Sequence, residues 1–260
     1  MAIELFNNGK HVCLMFPDLI SDGGEVVQAN QFLIVDNGHG MLLDPGGTLT
    51  YNDLYLAIAK YFQPKNLDYL FASHADPDVI AALDRWLTGS STALLISSVW
   101  ARFMPHLCKE GKTEARIISI PDPGGDVRLG DCTLKMIPAH FMHAEGNFHV
   151  YDPVSKILFS GDLGVSLMPP SKVARVLDFD EHISHMRGFH QRYMPSNKVL
   201  KLWANMVRNL DIEQLVPQHG CPFIGKPMVN RFIDWIEQLP CGIDLVDQSF
   251  YKVPQNTLLA

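Results

Sequence analysis

The sequence has only five cysteines, Cys13, Cys108, Cys132, Cys221 and Cys241, scattered along 260 residues with no CxxC pair. An odd, dispersed set of this kind is expected to stay reduced, as core or surface thiols, and argues against a disulfide framework. Long apolar runs are missing too. None approaches the roughly 18 residues of a membrane span, so no membrane partner is expected. The N-terminal stretch MAIELFNNGKHVCLMF has no basic segment ahead of an apolar one, and Lys10 and His11 interrupt it. It therefore lacks the layout of a signal peptide, and the expected location is the cytoplasm. Basic charge is scarce: 21 Lys and Arg against 28 Asp and Glu leave a formal net charge of -7. That balance argues against nucleic acid or an anionic membrane as a partner. Short-period repeats and low-complexity stretches are absent as well.

What is present is a globular composition, 47% apolar and 19% charged, enough to bury a substantial core in one α/β domain spanning 1–260. Histidine stands out. There are 11, and several lie beside Asp, Gly or Pro in loop-like sequence.

Along the chain, Gln31–Val35 and Gly40–Leu43 flank the turn Asp36-Asn37-Gly38 and read as a hairpin. Residues Tyr51–Phe62 read as a helix with Leu54, Ile58 and Phe62 on one face, stopped by Pro64. Leu67–Ala72 reads as a strand, Val79–Leu87 as a helix, Thr92–Ile96 as a strand and Val99–Leu107 as a helix. A block of strands follows at Arg116–Ile120, Asp126–Leu129, Cys132–Pro138, Phe148–Tyr151 and Ile157–Ser160. Later come a helix over Asn197–Asn209, a strand over Gln214–Pro217 and a helix over Val229–Glu237. Residues 241–260 form a tail with little periodicity, suited to wrapping the domain or a partner subunit. Two blocks of strands with helices around them predict two sheets back to back, with helices on the outer faces.

Four elements carry ligand chemistry. His74-Ala75-Asp76-Pro77-Asp78 closes the Leu67–Ala72 strand, where a rigid strand hands side chains to a loop. Its alternating His, Asp and Asp point to one side of an extended segment. This is either a cation cage or a polar turn capping the next helix with Asp78 as N-cap. Next is Ala139-His140-Phe141-Met142-His143-Ala144-Glu145-Gly146-Asn147, between two strands, in which each histidine also reads as a surface residue. Leu158-Phe159-Ser160-Gly161-Asp162-Leu163-Gly164 ends an apolar strand in a turn that an Asp suits on its own. Val216-Pro217-Gln218-His219-Gly220 is a further strand end with a histidine.

In order and spacing these elements resemble the metallo-β-lactamase superfamily: a strand-end histidine and carboxylate motif, a His, an Asp in a "GD" turn and a late His before Gly. The resemblance spans roughly Asn30 to Gly225. It implies a four-layer αβ/βα sandwich with metals in the cleft between sheet edges. A zinc hydrolase of this superfamily has histidine at positions 76 and 79, where this chain has Asp76 and Val79. The carboxylate at 76 is similar to the HxExDH pattern of flavodiiron proteins, one methylene shorter, and the pattern is closer still to stand-alone oxygen-binding diiron proteins. The chain after Gly225 is too short for a flavodoxin module, so no FMN is expected.

By position, the resemblance implies that His74, Asp76 and His143 bind a first metal, Asp78 and His219 a second, and Asp162 both. Three imidazoles, three carboxylates and no thiolate suit iron, with manganese or zinc as alternatives. Two divalent cations against three carboxylates leave about +1, which suits a bound oxygen-derived anion. Val79 leaves the second metal a ligand short, either as an open position or to be replaced from Glu181-His182-Ile183-Ser184-His185 or Phe189-His190-Gln191-Arg192-Tyr193, read as loop over the metals. Arg192 and Tyr193 are candidate hydrogen-bond donors to a bound anion.

Three functions follow as expectations. The first is a diiron protein that binds or reduces dioxygen or nitric oxide, with an external electron donor where it acts as a reductase. The second is a metal-dependent hydrolase of phosphodiesterase or lactonase type, with a metal-activated water. The third is a non-catalytic module with a degenerate site. Related diiron domains pair head to tail, which makes a homodimer a further expectation.

Overall fold

The structure, a computed structural model, describes residues 2–20, 26–167 and 175–255. Strands β1 (Ile3–Asn7), β2 (His11–Phe16), β3 (Gln31–Asp36), β4 (His39–Leu43), β5 (Tyr69–Phe71), β6 (Ala93–Ser97) and β7 (Ile117–Ile120) form one sheet in chain order. Its first four strands pair antiparallel and the rest parallel. Strands β8 (Gly125–Leu129), β9 (Cys132–Pro138), β10 (Phe148–Asp152), β11 (Ile157–Phe159), β12 (Gln214–Val216) and β13 (Phe223–Ile224) form a second sheet in the order β13-β12-β11-β10-β9-β8.

Strand residues alternate between two cores, as the period of two requires. Cys13, Met15, Phe32, Ile34, Met41 and Leu43 point between the sheets, where they meet Leu134, Met136, Phe148, Val150 and Phe159. Their neighbours Leu14, Phe16, Leu33 and Leu42 face outward onto α1 (Tyr51–Ile58), α2 (Pro77–Ile80) and α3 (Leu83–Gly89). A fourth helix, α4 (Ser98–Ala101), follows β6. On the far side, Tyr151, Leu158, Leu215 and Phe223 face α5 (Phe179–Tyr193), α6 (Asn197–Val207) and α7 (Lys226–Gln238). Three cores separate four layers, the αβ/βα sandwich expected from the sequence.

The helix limits differ from the sequence reading for local reasons. α1 ends at Ile58, and residues 59–62 tighten into a turn that sets the Phe62 ring against Gly40. The helix read over Val79–Leu87 is two helices, because the Ala82 N–H bonds the Gly46 carbonyl at 3.1 Å and leaves the helical ladder. The helix read over Val99–Leu107 divides into α4 and a short 3-10 turn, Met104–His106, which contains Pro105, a residue with no N–H to continue the ladder.

The largest correction concerns residues 179–193. Read from sequence as loop, they form the 15-residue helix α5. Asp178 caps it by accepting from the N–H groups of Asp180 and Glu181 at 2.8 and 3.2 Å. The buried face is Phe179, His182, Met186 and His190. Two of its four members are histidines, so the apolar period that marks a helix is hidden.

The start of the tail packs on this layer: Cys241 is buried, and the Ile243 N–H bonds the Pro195 carbonyl at 2.8 Å. Phe250, Tyr251 and Val253 are exposed. Residues 256–260 of the tail lie outside the described residues.

Candidate metal site

The four motifs meet at one edge of the sandwich, each at the end of a strand. His74, Asp76 and Asp78 follow β5, His143 precedes β10, Asp162 follows β11 and His219 follows β12. Backbone bonds tie these ends together. The Phe148 N–H bonds the Ser73 carbonyl, and the Gln218 N–H bonds the Gly161 carbonyl at 2.7 Å. Gly220 is required by its turn. Its φ is +83°, and a Cβ there would lie 2.6 Å from the Ser166 carbonyl oxygen.

Asp162, buried, is the centre of the cluster. Its Oδ2 lies 2.9 Å from His143 Nε2 and 3.8 Å from His74 Nε2, while its Oδ1 lies 3.5 Å from His219 Nε2. Asp76 Oδ2 completes the first group, 3.3 Å from His143 Nε2 and 3.7 Å from His74 Nε2. The ligand-type atoms of His74, Asp76, His143 and Asp162 all lie within 4.8 Å of one another. On the other side, Asp78 Oδ2 lies 3.2 Å from His219 Nε2. The two oxygens of one carboxylate thus face two different groups of side chains.

Asp76, not Asp78, occupies the N-cap position of α2, and its side chain makes no capping bond. The capping reading of this motif therefore fails. His140 is set apart from the cluster: its Nε2 meets the Asp122 carbonyl at 2.8 Å, and its ring packs edge-on to Phe148.

Two of the imidazoles are aimed by their second nitrogen. His74 Nδ1 bonds Ser73 Oγ at 2.8 Å, and His219 Nδ1 donates to the Gln28 carbonyl at 2.7 Å, so both Nε2 atoms face the cluster. The buried Gln218 donates from Nε2 to Asp78 Oδ2 at 3.3 Å. Asp44, also buried, accepts the Ser73 N–H at 2.8 Å, and its carboxyl is pushed up to about 6 by burial. Gln28, Asp44, Ser73 and Gln218 were missed in the sequence, since a polar residue beside a motif carries no periodic signal. Beneath the site, the buried His149 accepts from the Trp203 indole N–H at 3.1 Å, and burial pulls it down to about 3.

The electrostatics favour positive charge in the cage. Burial lowers His143, but the Asp162 and Asp76 carboxylates outweigh it and raise it to about 10. Burial likewise opposes His219, which Asp78 and Asp162 raise to about 9. His74 is raised against burial, chiefly by Asp162. Asp76, beside His143 and His74, is held well below the usual carboxylate range. Burial opposes ionisation of Asp162, yet the three imidazoles around it lower its value. His74 Nε2 and Asp162 Oδ1 are buried without a hydrogen-bond partner. Buried polar atoms are normally paired, so two orphans aimed into one imidazole and carboxylate cluster fit a pair of cations.

The side chains proposed from sequence to replace a ligand at position 79 sit elsewhere. Val79 is buried in the apolar core beneath α2. His190 spends both ring nitrogens, donating from Nδ1 to the Met186 carbonyl at 2.8 Å and accepting the Gly164 N–H at Nε2 at 3.0 Å. His182 packs edge-on to Phe223, and neither it nor His185 joins the ligand-type group around Asp162. Tyr193 stacks on Phe189 at 4.5 Å and lies 5.6 Å, ring to ring, from His143, with half its surface exposed. Arg192 is exposed. Among the described residues no helix is long and apolar enough to cross a membrane.

Known proteins share this architecture. The structure is similar to that of the chemotaxis sensor ODP from T. denticola in its apo state, with a TM-score of 0.84 and 36% identity over 96% of this chain and 99% of that one. The peroxy diiron species of chemotaxis sensor ODP gives a TM-score of 0.85 at the same identity and coverage. A mutant form of the flavo di-iron protein from Thermotoga maritima shares the fold at 19% identity, with a TM-score of 0.74 over 91% of this chain and 60% of that one. Uncharacterized protein MJ0732 of Methanocaldococcus jannaschii is 30% identical over 79% of this chain; the chain spans 51% of that relative's length. Residues 27–220 match the model of the ODP family beta lactamase, and the chain belongs to that family.

Proposed function

We propose that this protein is a diiron protein of metallo-β-lactamase fold that binds dioxygen. His74, Asp76 and His143 hold one iron ion, Asp78 and His219 hold the other, and Asp162 bridges the two. The observation that carries this reading is the division of the Asp162 oxygens between two clusters, one at Oδ2 and one at Oδ1. The likeness to the chemotaxis sensor ODP, at 36% identity over nearly the whole chain, supports a diiron centre over a hydrolytic one.

When bound, such a pair would supply two redox-active cations able to bind a small diatomic ligand. The protein's part is to bind, orient and enclose. Ser73 and the Gln28 carbonyl hold the imidazoles of His74 and His219 with Nε2 inward. Gln218 fixes one Asp78 oxygen. The side chain of Val79 is spent in the core, which leaves the Asp78 and His219 side with fewer protein ligands than the His74 side. Phe189 and Tyr193 wall the His143 flank, and the Tyr193 hydroxyl is our candidate donor to a bound anion. An external electron donor and a homodimer belong to the same proposal.

The test is anaerobic loading with ferrous iron, metal quantification, and visible absorption before and after admission of air. About two irons per chain and a new oxygen-dependent band are expected. Two bound irons with no spectral response to oxygen would overturn the reading. Turnover of a phosphodiester that vanishes in Asp162→Ala would replace it with a hydrolase.

A further inference from the structure

A second cluster of ligand-type side chains lies at the opposite edge of the sandwich. β10 starts beside Ser73 and the candidate metal site and ends at Asp152. At that end, His11 opens β2, Asp36 closes β3 and Cys132 opens β9, so both sheets contribute. His11, Cys13, Asp36, Cys132 and Asp152 are all buried. His11 Nε2 lies 2.7 Å from Asp152 Oδ2, and Cys13 Sγ lies 3.4 Å from the same oxygen and 3.6 Å from His11 Nε2.

We propose that His11, Cys13 and Asp152 supply three ligands of a structural site for a zinc-class cation, joining the two sheets at the edge remote from the diiron centre. Tetrahedral zinc, with a sulfur ligand at about 2.3 Å and nitrogen and oxygen ligands at about 2.0 Å, places sulfur about 3.5 Å from nitrogen or oxygen, and nitrogen about 3.3 Å from oxygen. The two sulfur edges already have that length. The third opens by about 0.6 Å on binding, a small movement of the Asp152 carboxylate.

The surroundings are built for the same purpose. Asp36 Oδ1 accepts from His11 Nδ1 at 2.9 Å, which leaves Nε2 as the ligating nitrogen, the carboxylate, histidine and metal order found around protein-bound zinc. Asp36 Oδ2 is itself held by the N–H groups of Asp131 and Cys132, at 2.7 and 3.2 Å. The Ser155 hydroxyl donates to Asp152 Oδ2 and touches Cys13, the place for a fourth ligand.

A thiolate in the set selects zinc over the harder cations that suit the carboxylate-rich site.

The test uses the full chain, refolded with zinc or with cobalt, and an Asp162→Ala variant to empty the diiron site. One zinc per chain is expected to persist in Asp162→Ala. Zinc X-ray absorption should show one sulfur at about 2.3 Å, and cobalt should give a sulfur-to-metal charge-transfer band. Both sulfur signals should vanish in Cys13→Ala, and in Cys13→Ser, which replaces sulfur by oxygen and serves where the alanine variant does not fold. No metal uptake on refolding, a bound zinc without sulfur, or a sulfur signal that survives loss of Cys13 would each overturn the proposal, leaving an ion triad with a neighbouring thiol. Because the sulfur signal is absent from the diiron ligand set, this outcome is read independently of the diiron proposal.

Discussion

His190 gives a prediction with a sign and a size. It is fully buried in α5 against the rings of Phe189, Phe232 and Trp235. Its neutral form is satisfied at both nitrogens, and a second ring proton would point at the Gly164 N–H, donor against donor. Burial therefore pulls it down from the ordinary 6.5 to about 4, against small opposing effects from the Met186 carbonyl and Asp162. Because the folded value lies below the unfolded one, the unfolded chain binds the proton first as pH falls. Stability from this residue is full above about pH 6.5, declines as pH drops, and levels off below about pH 4. The full difference is about 3 kcal/mol, of which about 2 kcal/mol is lost by about pH 5. The perturbation is His190→Leu, which cannot titrate. It leaves the Gly164 N–H without an acceptor, at a cost of about 1–3 kcal/mol near neutrality. The assay is urea unfolding of metal-free protein at about pH 7.5 and about pH 5, extrapolated linearly. The wild type should lose about 2 kcal/mol more than the variant over that interval. Equal losses in the two proteins would refute the reasoning, since every other titrating group is common to both.

Further outcomes follow from the same structure. Asp162→Ala removes the carboxylate shared by both clusters, and metal analysis should show both ions lost. Ser73→Ala frees His74 Nδ1 and should weaken metal binding by about 10–100-fold in a competition titration, with the fold unchanged by circular dichroism. Chelation of the metals should lower the midpoint of thermal unfolding; at free metal about 100-fold above the dissociation constant, the metals contribute about 2.7 kcal/mol per site. Asp178→Ala removes the cap of α5 and should cost about 1 kcal/mol in chemical denaturation.

Much of the architecture was legible in the sequence because its signals are local. Gln31–Asp36 and His39–Leu43 form the hairpin that the Asn37-Gly38 turn marks, and the run from β7 to β11 follows its apolar segments within a residue or two. The four motifs were visible because each closes a strand. α5 was not legible, since burial there falls on His182 and His190, residues that a hydropathy pattern scores as polar. The break between α2 and α3 was hidden for a different reason: it is set by a bond from Ala82 to Gly46, a contact no window of sequence contains. Strands β1 and β2 were not separated from the surrounding turn signals, and β13, two residues long, carries no pattern of its own. The supporting groups of the site, Ser73, Asp44 and Gln218, are ordinary polar residues until the strand ends converge.

The central claim is that Asp162 stands between two metal ions. Anomalous diffraction at the iron edge, from crystals grown anaerobically with ferrous iron, tests it directly. The account predicts two peaks flanking the Asp162 carboxylate, one against His74, Asp76 and His143 and the other against Asp78 and His219. A single peak, or none near Asp162 with iron present in excess, would contradict it.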